Sequence, residues 1–238
     1  MSERIKKNKK KLVVLTGAGI SAESGLNTFR DSGGLWEGYD VMQVASIDGW
    51  HRNKELVLEF YNMRRKQSSN AKPNRGHLAL KELENDFDVT IITQNVDDLH
   101  EKAGSEKIIH LHGKLNEAKS SLDPSLVYPV KNFKINIGDK CEKGSQLRPN
   151  IVWFGEAVPM MEAAVREVIT ADILVIIGTS LVVYPAASLI NFAPDDVLKY
   201  LIDPNIPEIY QPIPNLKFIP EKATTGVETL KDELKNNL

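Results

Sequence analysis

Lys11 to Trp36 reads KLVVLTGAGISAESGLNTFRDSGGLW, and the rest of the chain is arranged around it. Leu12-Val13-Val14-Leu15 is a continuous apolar run, which reads as a strand buried on both faces, as in a parallel sheet. Gly17-Ala18-Gly19-Ile20-Ser21-Ala22 follows at once and fits G-x-G-x-x-A. After a strand, that spacing suits a turn where backbone approaches a phosphate closely. Glycine removes the Cβ that would block the approach, and free amides at the next helix start can hold an anion. The same glycine pattern also describes an ordinary strand-to-helix turn.

The remainder of the stretch adds GAGISAESG, Thr28-Phe29-Arg30 and Gly33-Gly34-Leu35-Trp36 in order. This string resembles the NAD-binding signature of the sirtuins, the NAD-dependent protein lysine deacylases. The resemblance implies that Gly17, Ala18, Gly19, Ser21, Ala22, Phe29 and Arg30 lie against NAD. It places Ala223, near the start of the last helix, in the same group.

The chain has 238 residues, enough for one large domain with a smaller insertion. Hydrophobic residues make up 42% and charged residues 26%, the composition of a water-soluble globular chain. A net charge of −2 gives no global reason to expect nucleic-acid binding. No apolar run approaches the roughly 20 residues of a membrane span. Arg4, Lys6, Lys7, Lys9, Lys10 and Lys11 are followed by no apolar segment of signal-peptide length and read as a solvated basic tail. One cysteine, Cys141, excludes an internal disulfide and fits a reducing cytoplasm.

From Glu37 to about Ser69 the pattern is helical. Leu56, Phe60 and Met63 recur at helical spacing, with Val57, Tyr61 and Arg64 on an adjoining stripe. A loop at 70–74 precedes a second helix from about Gly76, in which His77 suits a packing or capping role. Val89 to Thr93 is the second clear strand. It runs into Gln94-Asn95-Val96-Asp97-Asp98, a cluster of amides and carboxylates where open α/β sheets bind ligands. A polar turn with an Asx cap is the plainer reading and suits Asp98.

TQNVDDLH resembles a second sirtuin motif, which implies that Gln94, Asn95 and Asp97 line the nicotinamide-ribose pocket. Ile108-Ile109-His110-Leu111-His112-Gly113 resembles the catalytic segment. By that match His112 is the general base and His110 is structural, with Asn95 also at the reacting end. An imidazole of pKa about 6.5 suits proton abstraction near neutral pH. Arg148 to Glu156, RPNIVWFGE, resembles the segment that binds acyl-lysine, with Val152, Trp153, Phe154, Gly155 and Glu156 forming the substrate wall. There the substrate would pair as an added strand. Asp172 to Ser180 is a further buried strand and turn, whose Gly178, Thr179 and Ser180 match another NAD motif.

Two segments depart from the family. Many sirtuins carry two Cys-x-x-Cys pairs between 114 and 149, which close a structural zinc site. Cys141 alone cannot, so no zinc or other metal is expected. A small lobe packed on Val127, Tyr128, Val130, Phe133, Ile135 and Ile137 is expected instead, with the alternation at 133–137 suggesting a strand. Leu201-Ile202-Asp203 stands where related chains have I-N-x-E, so Asp203 or Asn205 would take the adenosine-ribose contact.

The expected fold is α/β: a Rossmann-like parallel sheet with helices on both faces, spanning 1–36, 76–113 and 149–238. A small lobe would come from two insertions, 37–75 and 114–148. The implied activity is NAD-dependent lysine deacylation, giving nicotinamide, free lysine and O-acyl-ADP-ribose. Alternatives are NAD glycohydrolysis or ADP-ribosyl transfer at the same site, or a non-enzymatic NAD-sensing module. The expected partners are acyl-lysine proteins or peptides, not nucleic acid or membrane. Tyr61 and Arg64 stand three apart and share a helix face, where a phenol and a guanidinium can bind a carboxylate together. FYNMRR resembles the Tyr-x-x-Arg segment of the branch that removes succinyl and malonyl groups, with the small Ser32 leaving room for a longer acyl chain. A solvated basic run through Arg64, Arg65 and Lys66 is the plainer alternative.

Overall fold

The computed structural model describes residues 9–26, 35–205 and 212–235. Phe29, Arg30 and Ser32 lie outside the described residues. The elements in chain order are β1 (Lys11–Thr16), α1 (Gly19–Ala22), β2 (Leu35–Trp36), β3 (Tyr39–Asp40), α2 (Val41–Val44), α3 (Ile47–Arg52), α4 (Lys54–Asn70) and α5 (Arg75–Leu83). Then come β4 (Asp88–Thr93), α6 (Leu99–Ala103), β5 (Ile108–His110), β6 (Gly113–Ser120), β7 (Val127–Pro129), β8 (Leu147–Ile151) and α7 (Met161–Val168). Last are β9 (Ile173–Ile177), a 3-10 helix (Ala186–Phe192), β10 (Leu198–Ile202), β11 (Leu216–Ile219) and α8 (Ala223–Lys235).

Six strands form one sheet in the order β11-β10-β9-β1-β4-β5, every neighbouring pair parallel. This is the doubly wound Rossmann order, with its switch point between β1 and β9. The apolar runs explain the burial. Leu12 and Val14 join Val175, Ile177, Tyr200 and Ile202 in a core under α5 and α8. Val13 and Leu15 point the other way and join Leu174, Ile176 and Leu201 under α7 and the 3-10 helix. Each such aliphatic side chain, fully withdrawn from water, contributes about 1.5–3 kcal/mol.

A third apolar cluster is separate from the sheet. It gathers Val44, Trp50, Val57, Phe60 and Tyr61 with Leu115, Ile135, Ile151 and Trp153, against the three-stranded antiparallel sheet β7-β6-β8. The lobe differs from expectation in two places. Residues 37–40 are not helical: Glu37 and Gly38, at φ 53° and 83°, turn a tight hairpin between β2 and β3, as a two-residue type I′ turn requires. The 133–137 alternation is not a strand, because Asn132 and Phe133 both take positive φ. Ile135 is buried, whereas Val127, Phe133 and Ile137 are exposed.

Polar clamps hold that irregular loop. Arg65 is buried, not part of a solvated run, and donates to the Phe133 and Leu115 carbonyls at 3.2 and 3.3 Å. Asn62 donates to the Ile135 carbonyl at 3.0 Å and accepts the Ile135 amide at 2.9 Å. Among the described residues, no group of three or more His, Cys, Asp or Glu side chains is placed to hold a metal ion. No helix among them is long and apolar enough to cross a membrane.

Candidate active site

A cleft of about 710 Å³ opens at the carboxyl ends of β1, β4 and β9. It lies at the topological switch point, where open α/β sheets bind ligands. Its floor is an interlock of glycines. The Gly17 amide donates to the Ile177 carbonyl at 3.0 Å, and the Gly19 amide to the Gly178 carbonyl at 2.8 Å. A Cβ on Gly17 or Gly19 would come within 2.7 or 2.5 Å of Gly178 backbone. A Cβ on Gly178, at φ 61°, would meet the Ile20 amide at 2.5 Å. The glycines are therefore required by the approach of the two loops to each other. The amides of Gly17, Gly19, Ile20 and Ser21 all donate to chain carbonyls, which fixes the turn.

The polar strip after β4 faces this floor. Asn95 Nδ2 donates to Ser21 Oγ at 3.1 Å, and Ser21 Oγ donates to Asp97 Oδ2 at 3.1 Å. The Leu99 amide donates to Asp97 Oδ1 at 3.1 Å. Burial raises the Asp97 pKa; the bonds from Leu99 and Ser21 act against the shift. Gln94 Nε2 donates to Thr179 Oγ1 at 3.1 Å, tying β4 to the loop after β9. This row of amide, hydroxyl and carboxylate suits the hydroxyls of a ribose.

His112 follows the end of β5 and lines the same cleft. Its Nδ1 lies 3.1 Å from the Gln94 carbonyl oxygen, which can only accept, so the proton sits on Nδ1 and Nε2 is left basic. Burial lowers its pKa, and the Gln94 carbonyl offsets part of this. His110 has both ring nitrogens engaged, with Glu101 Oε1 at 2.8 Å and the Asn95 carbonyl at 3.2 Å, which makes it a structural histidine.

Val152, Trp153, Phe154, Gly155 and Glu156 form the opposite wall. The Val152 amide donates to the His112 carbonyl at 3.0 Å, fixing wall and histidine together. Arg148 stacks 3.5 Å from the Trp153 ring centre and donates to both Glu156 carboxylate oxygens at 2.7 and 2.8 Å. Glu156 Oε2 also accepts the Trp153 amide at 2.9 Å. Desolvation alone would raise the Glu156 pKa, but the Arg148 and Trp153 bonds outweigh it and hold it low.

Tyr61 and Arg64 line the cleft from α4. Tyr61 is fully buried, and burial pushes its phenol far above the usual range. Arg64 is buried too; its guanidinium lies 4.9 Å from the Trp36 ring centre and 3.0 Å from Glu37 Oε1. Burial lowers the Arg64 pKa, with Glu37 opposing the shift. Glu37 therefore pairs the Arg64 guanidinium from within the chain itself.

Thr179, Ser180 and Ala223 line the far end, as do Asp203 and Asn205. Leu201 is buried in the sheet and does not. Ala18 and Ala22 complete the glycine side. Trp36, Tyr184 and Lys222 also line the cleft, and Glu37 pairs with Arg64, though none of the four was given a role from the sequence. Only Trp36, closing the Gly-Gly-Leu-Trp string, carried a signal there. A pocket of this volume, with hydroxyl-binding groups beside a basic histidine and an apolar wall, fits a dinucleotide meeting an acylated side chain.

Residues 17–185 match the Sir2 family profile. An NAD-dependent protein deacylase of Bacteroides thetaiotaomicron is 55% identical over 230 residues, covering 94% of this chain and 98% of the relative. One from Helicobacter pylori (strain 26695) is 54% identical over 225 residues, covering 94% and 97%. A solved Sir2 homolog–NAD complex superposes with a TM-score of 0.85 at 39% identity, covering 96% of this chain and 91% of that one. A Sir2 mutant with a deacetylated p53 peptide and 3′-O-acetyl-ADP-ribose gives 0.78 at 30% identity, covering 94% of each. With these matches running through both the sheet and the cleft, the chain belongs to the Sir2 family.

Proposed function

We propose that this chain is an NAD-dependent protein-lysine deacylase, releasing nicotinamide, free lysine and O-acyl-ADP-ribose. The observation that carries the reading is the commitment of His112 Nδ1 to the Gln94 carbonyl, in one cleft with the Asn95–Ser21–Asp97 relay. The names of the similar bacterial deacylases support it. NAD, when bound, supplies the electrophilic ribose carbon that takes the acyl oxygen. His112 Nε2 is the base that removes a ribose hydroxyl proton. Asn95, Ser21 and Asp97 hold the ribose, Gly17 to Ala22 with Gly178 to Ser180 carry the dinucleotide, and Asp203, Asn205 and Ala223 meet its adenosine end. Phe29 and Arg30 are assigned to NAD on sequence resemblance alone. Trp153, buried in the wall, is assigned to keep water from the reacting carbon.

The acyl end is assigned to Tyr61 and Arg64. A buried phenol and guanidinium one helical turn apart favour an acyl group ending in carboxylate, succinyl or malonyl, alongside acetyl. Mass spectrometry of products from NAD with matched acetyl- and succinyl-lysine peptides tests both levels. Free lysine peptide and O-acyl-ADP-ribose are expected from each. NAD loss without deacylated peptide would move the assignment to glycohydrolysis or ADP-ribosyl transfer, and an absence of NAD turnover to a sensing module. If Arg64→Met reduces both deacylations by one factor, the protein is a plain deacetylase.

We assign residues 1–36, 76–113 and 149–238 to the NAD-binding domain, and 37–75 with 114–148 to the small lobe. The third apolar cluster supports this division, though Ile151 and Trp153 of the larger domain also join it. A cytoplasmic location and work without zinc rest on the single Cys141. Stoichiometric zinc by elemental analysis overturns the second.

A further inference from the structure

Arg64 carries its own carboxylate. Glu37 Oε1 lies 3.0 Å from Arg64 Nη1, and both side chains are nearly closed to solvent, 9% exposed for Arg64 and 14% for Glu37. Nη1 also reaches Gln67 Oε1 at 3.5 Å, and the guanidinium packs on Trp36. Arg64 lines the cleft, whereas Glu37 is not among the residues that line it. Glu37 occupies the first position of the hairpin turn at φ 53°, where Asn or Gly is the usual choice. With Gly38 beside it, the turn sets this carboxylate against α4.

We propose that Glu37 is a specificity-determining residue which, as the resident carboxylate on Arg64, limits preference for acidic acyl groups. This rests on the reading above that Arg64 faces the acyl end. With acetyl in the channel, Glu37 keeps the buried guanidinium paired, so the penalty for a neutral acyl group is small. With succinyl in the channel, two carboxylates share one guanidinium and repel each other. Both effects act in the same direction. Glu37 eases acetyl and opposes succinyl, so one site serves both substrates. An arginine without this partner would bind the acidic group more tightly and penalise the neutral one.

The test is kcat/KM on matched succinyl- and acetyl-lysine peptides for wild type, Glu37→Gln, Glu37→Gly, Arg64→Met and the Glu37→Gln/Arg64→Met double variant. Glu37→Gly suits the positive φ and guards against a folding defect in Glu37→Gln. The succinyl-to-acetyl ratio is expected to rise about tenfold in both Glu37 variants, chiefly through KM, and not in the Arg64→Met background. A ratio that stays level or falls in both Glu37 variants, while Arg64→Met collapses it, overturns the inference and leaves the acyl reading standing. If Arg64→Met leaves the ratio unchanged as well, the acyl reading itself fails.

Discussion

Trp153 donates its indole N–H to the phenol oxygen of Tyr61 at 2.9 Å, the two rings 6.1 Å apart between centres. The indole is clamped by Arg148 on its face and by Glu156 through its backbone amide. With Trp153 donating to its oxygen, and with burial keeping it protonated, Tyr61 retains its O–H as a donor. A protonated phenol beside a donor-only guanidinium suits an acceptor-only end group such as carboxylate. Trp153→Phe removes the indole donor. Desuccinylation is expected to fall further than deacetylation, and unfolding in urea to show a loss of about 1–3 kcal/mol from the unsatisfied buried oxygen. Equal losses in both activities would make the bond a packing feature only.

His112→Ala should lower deacylation by about 10²–10⁴-fold while NAD binding, followed by calorimetry, persists. The pH profile carries a further expectation. The base must be neutral, and burial lowers the His112 pKa. Activity should therefore hold as pH falls and drop with a midpoint below the ordinary histidine value of about 6.5. A midpoint above that value would mean that another group is titrating.

The sheet and the cleft were legible because their signals are contiguous. Leu12 to Leu15 and Ile173 to Ile177 are unbroken apolar runs, and the glycine turn and the Gly178–Ser180 turn sit directly after them. The lobe was less legible because its conformation depends on distant partners. Phe133, Ile135 and Ile137 alternate like a strand, but Arg65 fixes the Phe133 carbonyl in a loop of positive φ. Arg65 itself reads as one of a solvated basic run until the fold brings Leu115 and Phe133 to it. The Glu37 hairpin was hidden for a similar reason, since Glu-Gly lacks the usual turn signature and Arg64 lies 27 residues away.

Arg65 is a polar clamp at the centre of the lobe. Its guanidinium joins Phe133, Leu115 and Asn62 Oδ1, the last at 2.7 Å, and so ties α4 to the chain on both sides of β7. Burial lowers its pKa to about 10, so it remains charged at neutral pH. Arg65→Met keeps the bulk and leaves two carbonyls without their donor, at a cost of about 1–3 kcal/mol each. Hydrogen exchange should show residues 131–139 opening first, with the parallel sheet still protected. Uniform loss of protection across sheet and lobe would contradict a local role.

The packing of α5 and α6 on the end of β1 should depend on pH through His77 and His100. Their rings lie 4.9 Å apart between centres. His77 engages the Asn74 cap through Nδ1, and His100 Nε2 meets Thr16 Oγ1 at 3.1 Å, at the end of β1. His77 Nε2 and His100 Nδ1 are buried with no partner among the described residues. Burial lowers the pKa values to about 4 for His77 and about 3 for His100, the latter also disfavoured by His77. Both are neutral in the native state, whereas unfolding exposes imidazoles that protonate near pH 6.5. Their stabilising effect is thus fully present above about pH 6.5 and is lost as pH falls toward about 4, by up to about 1.4 kcal/mol per unit for each histidine. Urea midpoints between about pH 7.5 and 4.5 measure this slope, and His100→Gln, which can still reach Thr16, should reduce the contribution from the pair by about half. An unchanged slope in His100→Gln would assign the acid sensitivity to the carboxylates instead.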